Sequence, residues 1–363
     1  GGAAGSRASA GRSGTGGKAG NAGAGEAAGA GGNAGRAGGA AGATAPLDPP
    51  PGDLAASAGT PLVAAHSMTR ALYAAYSGKL FQVRRASDGK TQDIGVAAAG
   101  GIVDGQALST FCSGTSCSVA VLYDQSGNAN DLPQATAANQ PVIQYWPTSS
   151  GMQLPMAVTL NKQWLRNRTK THKIPVGAAS QTEYWVVHGS HFNAGCCYDY
   201  GNMETTIHDD GPGTMNALYF GSSTAWTKGA GKGPWGMTDY EDGLFSGDVK
   251  DPGGTNANYP SLAYPGNNII TVLTKTNGTT TWALKAGNAA AGKLNTYWNG
   301  SLPAATKSYY SPLRQQGGLS LGEGGDGSNS GTGAFSEGVV IAGVTSEATD
   351  ESIQANIVAV YGQ

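Results

Sequence analysis

From residue 51 onward the chain is a succession of short β-branched and aromatic runs broken by Gly, Asn and Pro, a rhythm that leaves room for few helices. The clearest hairpin signal spans 269–284, where two such runs flank Asn277-Gly278, a pair that tolerates the positive φ of a type I′ turn. Further strands are predicted at 118–122, 184–188, 217–220, 236–241, 319–321 and 338–344, with another turn at Asn299-Gly300. Two helices are predicted. One covers 67–76 behind Ser67; the other covers 350–361 and lines up Ile353, Ile357, Val360 and Tyr361. With neither an internal repeat nor strand–helix alternation, the expected fold is all-β: one antiparallel β-sandwich, concanavalin- or jelly-roll-like, over residues 53–363.

The first fifty residues follow a different rule. They hold 17 Gly and 16 Ala, so this stretch has almost nothing to bury against its own ordering entropy. Residues 1–52 are therefore expected to be a disordered tether that holds the domain away from a cell envelope or another module. Charged residues make up only 13% of the chain, and those after residue 50 number 18 basic against 22 acidic. No basic stripe forms, which excludes nucleic acid as a partner. No apolar run approaches the ~18 residues of a membrane span, so membrane insertion is not expected.

Four Cys fall in two local pairs, Cys112 with Cys117 and the adjacent Cys196 and Cys197. Local pairs with no fifth Cys favour Cys112–Cys117 and Cys196–Cys197 disulfides and an oxidising, extracellular setting. The competing reading is zinc, because His188 and His191 precede the adjacent pair. Adjacent cysteines seldom both reach one tetrahedral ion and no second ligand pair follows, so no metal is expected.

Chemistry has three candidate seats. In a strand through Trp235–Glu241 the side chains of Met237, Asp239 and Glu241 share a face, with the two carboxylates about 7 Å apart. Buried side by side they repel, so a purely structural sheet would not choose them; on a solvated face they are harmless. The Gly-rich run 321–331 carries Asp326. It lacks the Lys-Ser/Thr ending of a phosphate loop and the acidic ladder of a calcium loop, and a plain surface turn is the bland alternative. Trp226 and Trp235 bracket a third Gly-rich stretch. An aromatic face beside carboxylates suits a sugar, although a core role is commoner for Trp. His66, His172 and His208 are isolated and no Gly-x-Ser-x-Gly elbow is present, so a serine hydrolase has no support.

Several of these segments, in this order, resemble the catalytic domain of glycoside hydrolase family 54, the arabinofuranosidase B type of α-L-arabinofuranosidase. The matching stretches are Ala64-Ala65-His66-Ser67, Thr69-Arg70-Ala71-Leu72-Tyr73, Tyr123-Asp124-Gln125-Ser126-Gly127-Asn128, Cys196-Cys197-Tyr198-Asp199-Tyr200-Gly201-Asn202, Gly233-Pro234-Trp235, Leu244-Phe245-Ser246-Gly247 and Gly324-Gly325-Asp326. The resemblance runs from about Ser57 to Gln363 and implies a β-sandwich that releases terminal α-L-arabinofuranosyl groups with retention. It implies Glu241 as nucleophile, Asp326 as general acid/base, Asp239 as a ligand of sugar hydroxyls, and Gly325 as a backbone contact. Trp226 and the Cys196–Cys197 disulfide correspond to walls of the arabinose pocket. A retaining pair sits about 5–5.5 Å apart and needs no metal or organic cofactor. Asp242, where the family carries an amide, adds a carboxylate beside the sugar. Members of the family usually continue into an arabinose-binding β-trefoil, and the sequence here stops at Gln363, so polymer binding is expected either to rest on the N-terminal tether's other attachments or to be weak.

The expected partner is thus an arabinose-containing plant cell-wall polysaccharide, arabinan or arabinoxylan, met by a secreted or surface-tethered monomer. The alternatives are a non-catalytic carbohydrate-binding sandwich and a structural surface module whose carboxylates are merely solvated. Activity on β-xylosides or galactofuranosides is a side expectation, since those sugars share part of the hydroxyl pattern.

Overall fold

A computed structural model describes residues 49–148, 150–247, 253–304 and 310–363. The tether expected over residues 1–52 lies outside the described residues as far as residue 48. A short helix, Pro51–Ser57, begins inside that stretch with Pro51 and Gly52 buried.

Among the described residues the strands form a twelve-stranded sheet and a six-stranded sheet, both antiparallel, together with a two-residue parallel pair. The long sheet centres on Gln181–His188 and Gly333–Ala342, every residue of the first being buried. The smaller sheet runs in the order Leu244–Phe245, Trp235–Asp239, Asn216–Gly221, Asp199–Met203, Gly318–Leu321, Leu165–Asn167. The two stack face to face: Trp185 of the long sheet lies against Tyr198 and Tyr200, with ring centroids 5.3 and 6.3 Å apart, and Phe335 packs on Tyr200. Burying aromatic rings of this size supplies much of the driving force for the sandwich. The opposite face of the long sheet is covered by the helix Glu347–Tyr361, whose Ile353, Ile357, Val360 and Tyr361 join a second core. Ser346 caps that helix by accepting from Thr349 N at 3.1 Å.

Four local expectations are corrected. Residues 67–76 are not helical. Ser67 ends a strand, and its Oγ accepts from Thr69 N and Arg70 N as a cap would, but Met68 N donates to Ser336 and Ala71 N to Gly101. Long-range partners thus take the N–H groups a helix would need. Asn277-Gly278 is no two-residue turn, since Asn277 pairs with Thr281 across a three-residue loop. Gly278 is there for closeness: a Cβ would lie 2.6 Å from Ala178 O. Asn299-Gly300 sits inside the strand Asn295–Ser301, with Gly300 opposite Trp282. The fourth correction concerns Glu241.

Candidate active site

In the smaller sheet Tyr200, Leu218 and Thr238 occupy the core-facing parity, with Gly236 packed against Val272 of the long sheet. Alternation then turns Asp199, Tyr219, Met237 and Asp239 to the outer face. These side chains are nevertheless buried, which means that loops close over them.

The strand carrying Asp239 stops there, and Glu241 does not continue its alternation. The chain reverses through Tyr240–Gly243 so that Asp239 pairs with Leu244, and both Glu241 (φ 60°) and Asp242 (φ 56°) are left-handed. A Glu in that region costs roughly 1–3 kcal/mol unless its surroundings hold it. Here Asp239 Oδ1 accepts from Glu241 N at 3.0 Å, and Tyr310 Oη donates to the Asp242 carbonyl at 2.9 Å. The turn keeps Glu241 buried and leaves Asp242 exposed.

The Gly-rich run meets this turn from the other side. A Cβ on Gly325 would overlap Oε2 of both Glu241 and Glu204, and one on Gly324 would lie 3.2 Å from Cys197 Sγ. Asp326 follows, exposed, its Oδ1 accepting from Ser328 N at 2.7 Å. The same loop wraps the Cys196–Cys197 disulfide: Cys197 N donates to Ser328 O and Ser330 Oγ to Cys196 O. Cys197 Sγ lies 3.6 Å from Asp239 Oδ2. Glu241, Asp239, Cys197, Gly325 and Asp326 thus converge on one wall. Trp226 is half-buried against the edge of the core, and it and Asp242 lie outside this set of contacts. Trp235 is a core residue, its indole N–H donating to Ala230 O. Both disulfides are present among the described residues, so the sulfurs beside Asp239 are not thiolates free to bind a metal.

Crowded buried carboxylates hold protons. Burial, then the charges of Asp239, Glu204 and Asp326, push Glu241 up to about 10. Burial likewise raises Asp239 to about 7. Asp199 is fully buried with neither oxygen receiving a donor among the described residues, and burial followed by the Asp239 charge holds it well above the ordinary carboxyl range. Held in this way, Asp199 is a neutral acid close to the Asp239 charge.

Three site residues escape the sequence reading. Asp199 opens the strand Asp199–Met203 and Glu204 follows it directly, shortly after the adjacent cysteines; two buried acids flanking so short a strand are the signal that was available. Arg168 has no local signal. Its guanidinium donates to the carbonyls of Glu204, Thr206, Gly324 and Gly325 at 2.5–3.0 Å and pairs with buried Glu323 at 3.0 Å. It ties the Gly-rich loop to the loop after Met203.

Residues 51–362 match the family described as "Alpha-L-arabinofuranosidase B, catalytic". The chain is 44% identical over 326 residues to alpha-L-arabinofuranosidase B of Emericella nidulans, covering 85% of this chain and 61% of that protein. It is 43% identical to an "Arabinofuranosidase/B-xylosidase" of Trichoderma koningii, covering 85% and 62%. A solved arabinofuranosidase in complex with arabinofuranosyl-alpha-1,2-xylobiose superposes with a TM-score of 0.80 at 40% identity, covering 86% of this chain and 65% of that one. The chain therefore spans under two thirds of these relatives' length. With the sandwich, the converging carboxylates and the match over nearly all the described residues in agreement, the chain belongs to the catalytic-domain family of alpha-L-arabinofuranosidase B, glycoside hydrolase family 54.

Proposed function

We propose that this domain is an exo-acting, retaining α-L-arabinofuranosidase that trims terminal arabinofuranosyl groups from arabinan or arabinoxylan side chains. The observation that carries the reading is the convergence at Gly325, where one glycine backbone abuts Glu241 and leads directly into Asp326. Glu241 attacks the anomeric carbon while Asp326 gives its proton to the departing oxygen, forming a covalent glycosyl-enzyme. Asp326, now a base, takes a proton from water, which attacks the same carbon and releases arabinose with its configuration retained. Asp239 accepts from sugar hydroxyls, with the disulfide and Trp226 as apolar walls, Gly325 as a backbone contact and Asp242 at the rim. Exposure suits Asp326 to exchange protons with bulk water between the two steps. Glu241 must shed its proton before it attacks, a demand that its crowded surroundings sharpen.

The secreted location, the plant-polysaccharide partner and the monomeric state belong to the same proposal. Two disulfides suit an oxidising compartment. A weaker β-xylosidase activity is added because the Trichoderma koningii relative carries both activities in its description.

The test is release of p-nitrophenol from p-nitrophenyl α-L-arabinofuranoside by the wild type and by Glu241→Gln, with the anomer first formed read by NMR. Release by the wild type alone, with retained configuration, is the expected result. Equal release by both removes Glu241 from the chemistry. Silence from both folded proteins turns the reading to a carbohydrate-binding module.

A further inference from the structure

Glu204 is the first residue after the strand Asp199–Met203, and its side chain is fully buried. One carboxyl oxygen is spoken for: Oε1 accepts from Asp210 N at 2.8 Å and from Thr214 Oγ1 at 2.6 Å. Its backbone carbonyl is fixed by Arg168 at 3.0 Å. The other oxygen, Oε2, receives no donor among the described residues. It points to the place where a Gly325 Cβ would overlap both it and Glu241 Oε2, with Met215 Sδ 2.9 Å from the same point. Two carboxylates facing one another in such a setting do not both stay ionised; one proton lies between them.

We propose that Glu204 is a positioning residue: it takes up the proton that Glu241 holds at rest and donates it from Oε2 as a hydrogen bond to Glu241 Oε2, leaving Glu241 Oε1 ionised for attack. The inference rests on the reading of Glu241 as nucleophile and deepens it. A Glu241 lone pair forms the new bond to the anomeric carbon as the glycosidic bond breaks, and the leaving oxygen takes its proton from Asp326. Glu204 keeps that proton through both steps and returns it when the cycle closes. Its O–H then donates to the carbonyl oxygen of the glycosyl ester, and back to the carboxylate when water releases the sugar. Glu241 also faces Asp239, Asp326 and Asp209, while Glu204 also faces Asp210. All are acids, and nearby Arg168 spends its donors on carbonyls and Glu323, so the pair's proton is not displaced by a cation. Burial raises both partners, in keeping with a retained proton, and the bond between them favours Glu204 as the acceptor at rest, so the proton starts on Glu241.

The experiment compares Glu204→Gln with Glu204→Leu. Gln keeps the Oε1 acceptor and sets an N–H donor opposite Glu241; Leu keeps the volume and loses both. The expected kcat lies within about 5-fold of wild type for Gln and about 100-fold below it for Leu, with KM little changed in either. A Gln variant as slow as Leu, or a Leu variant as fast as wild type, overturns the inference.

Thermal midpoints supply a second arm that needs no turnover, and they decide the matter where Leu does not fold. The pair's shared proton has a folded pKa above the free carboxyl value. Its stabilisation is therefore complete at low pH and is lost in the wild type as pH rises. Glu204→Gln should gain on the wild type steadily between about pH 5 and 9. A pH-independent offset overturns proton sharing. Wild type and Glu241→Gln are assayed on the same preparations, so failure of the nucleophile assignment shows there, separately from failure at Glu204.

Discussion

Replacing Gly325 by Ala isolates one steric contact. Gly325 is not in the left-handed region, so Ala suits its backbone and the whole cost comes from the added methyl. That methyl would overlap Oε2 of Glu204 and of Glu241 and lie 2.9 Å from Met215 Sδ. The loop cannot simply back away, because Arg168 holds the Gly325 carbonyl at 2.5 Å and the Gly324 carbonyl at 2.9 Å. Overpacking of this kind costs about 1–3 kcal/mol, or roughly 2–10 °C in Tm for a domain of this size. The larger effect falls on chemistry. Moving Glu241 or Asp326 by about 1 Å is enough for a ~100-fold loss, so kcat/KM on p-nitrophenyl α-L-arabinofuranoside should drop by that order. A Gly325→Ala protein with activity within about threefold of wild type and an unchanged Tm would refute the convergence of the two loops on one wall.

Arg168→Met should cost about 3–5 kcal/mol, because it leaves Glu323 buried with only Arg166 opposite and frees four carbonyls; an unchanged urea midpoint rejects this. Asp239 has a folded pKa of about 7, above its free value, so the stability it contributes is complete at acid pH and declines as pH rises through 7. Asp239→Asn should flatten that decline between about pH 4 and 8, as followed by thermal scans at fixed ionic strength. Trp226→Ala should raise KM by about tenfold with little change in Tm, since the ring is only half-buried; full affinity in the folded variant removes it from the pocket wall.

Legibility in the sequence followed the range over which each feature is determined. The helix Glu347–Tyr361 was readable from residue 350 onward because its apolar stripe is local, while its first turn and the Ser346 cap went unread. The expected 67–76 helix failed for the same reason: Ser67 presents the local mark of a cap, and only Ser336 and Gly101, which take the N–H groups of Met68 and Ala71 from elsewhere in the chain, reveal the alternative use. Asp239 and Glu241 drew attention by their spacing, yet the left-handed turn that sets Glu241 apart from its strand is held from outside, by Gly213 N donating to the Tyr240 carbonyl at 2.6 Å and by Tyr310. Glu204, Asp199 and Arg168 become meaningful only once the register places them beside residues far off in the chain. No periodicity encodes that. Motif resemblance, by contrast, reached Asp326 because the Gly-Gly-Asp run is contiguous.

The Arg168 hub binds backbone carbonyls, and that choice divides the tolerance of two loops in an unusual way. Every residue type carries a carbonyl, so exchanging the side chain of exposed Thr206 leaves its bond to Arg168 intact. Inserting or deleting a single residue between Glu204 and Thr206, or between Glu323 and Asp326, slides that loop's carbonyls by up to about 3.5 Å and breaks the register of its pair on Arg168. Length, more than composition, is what these loops must preserve.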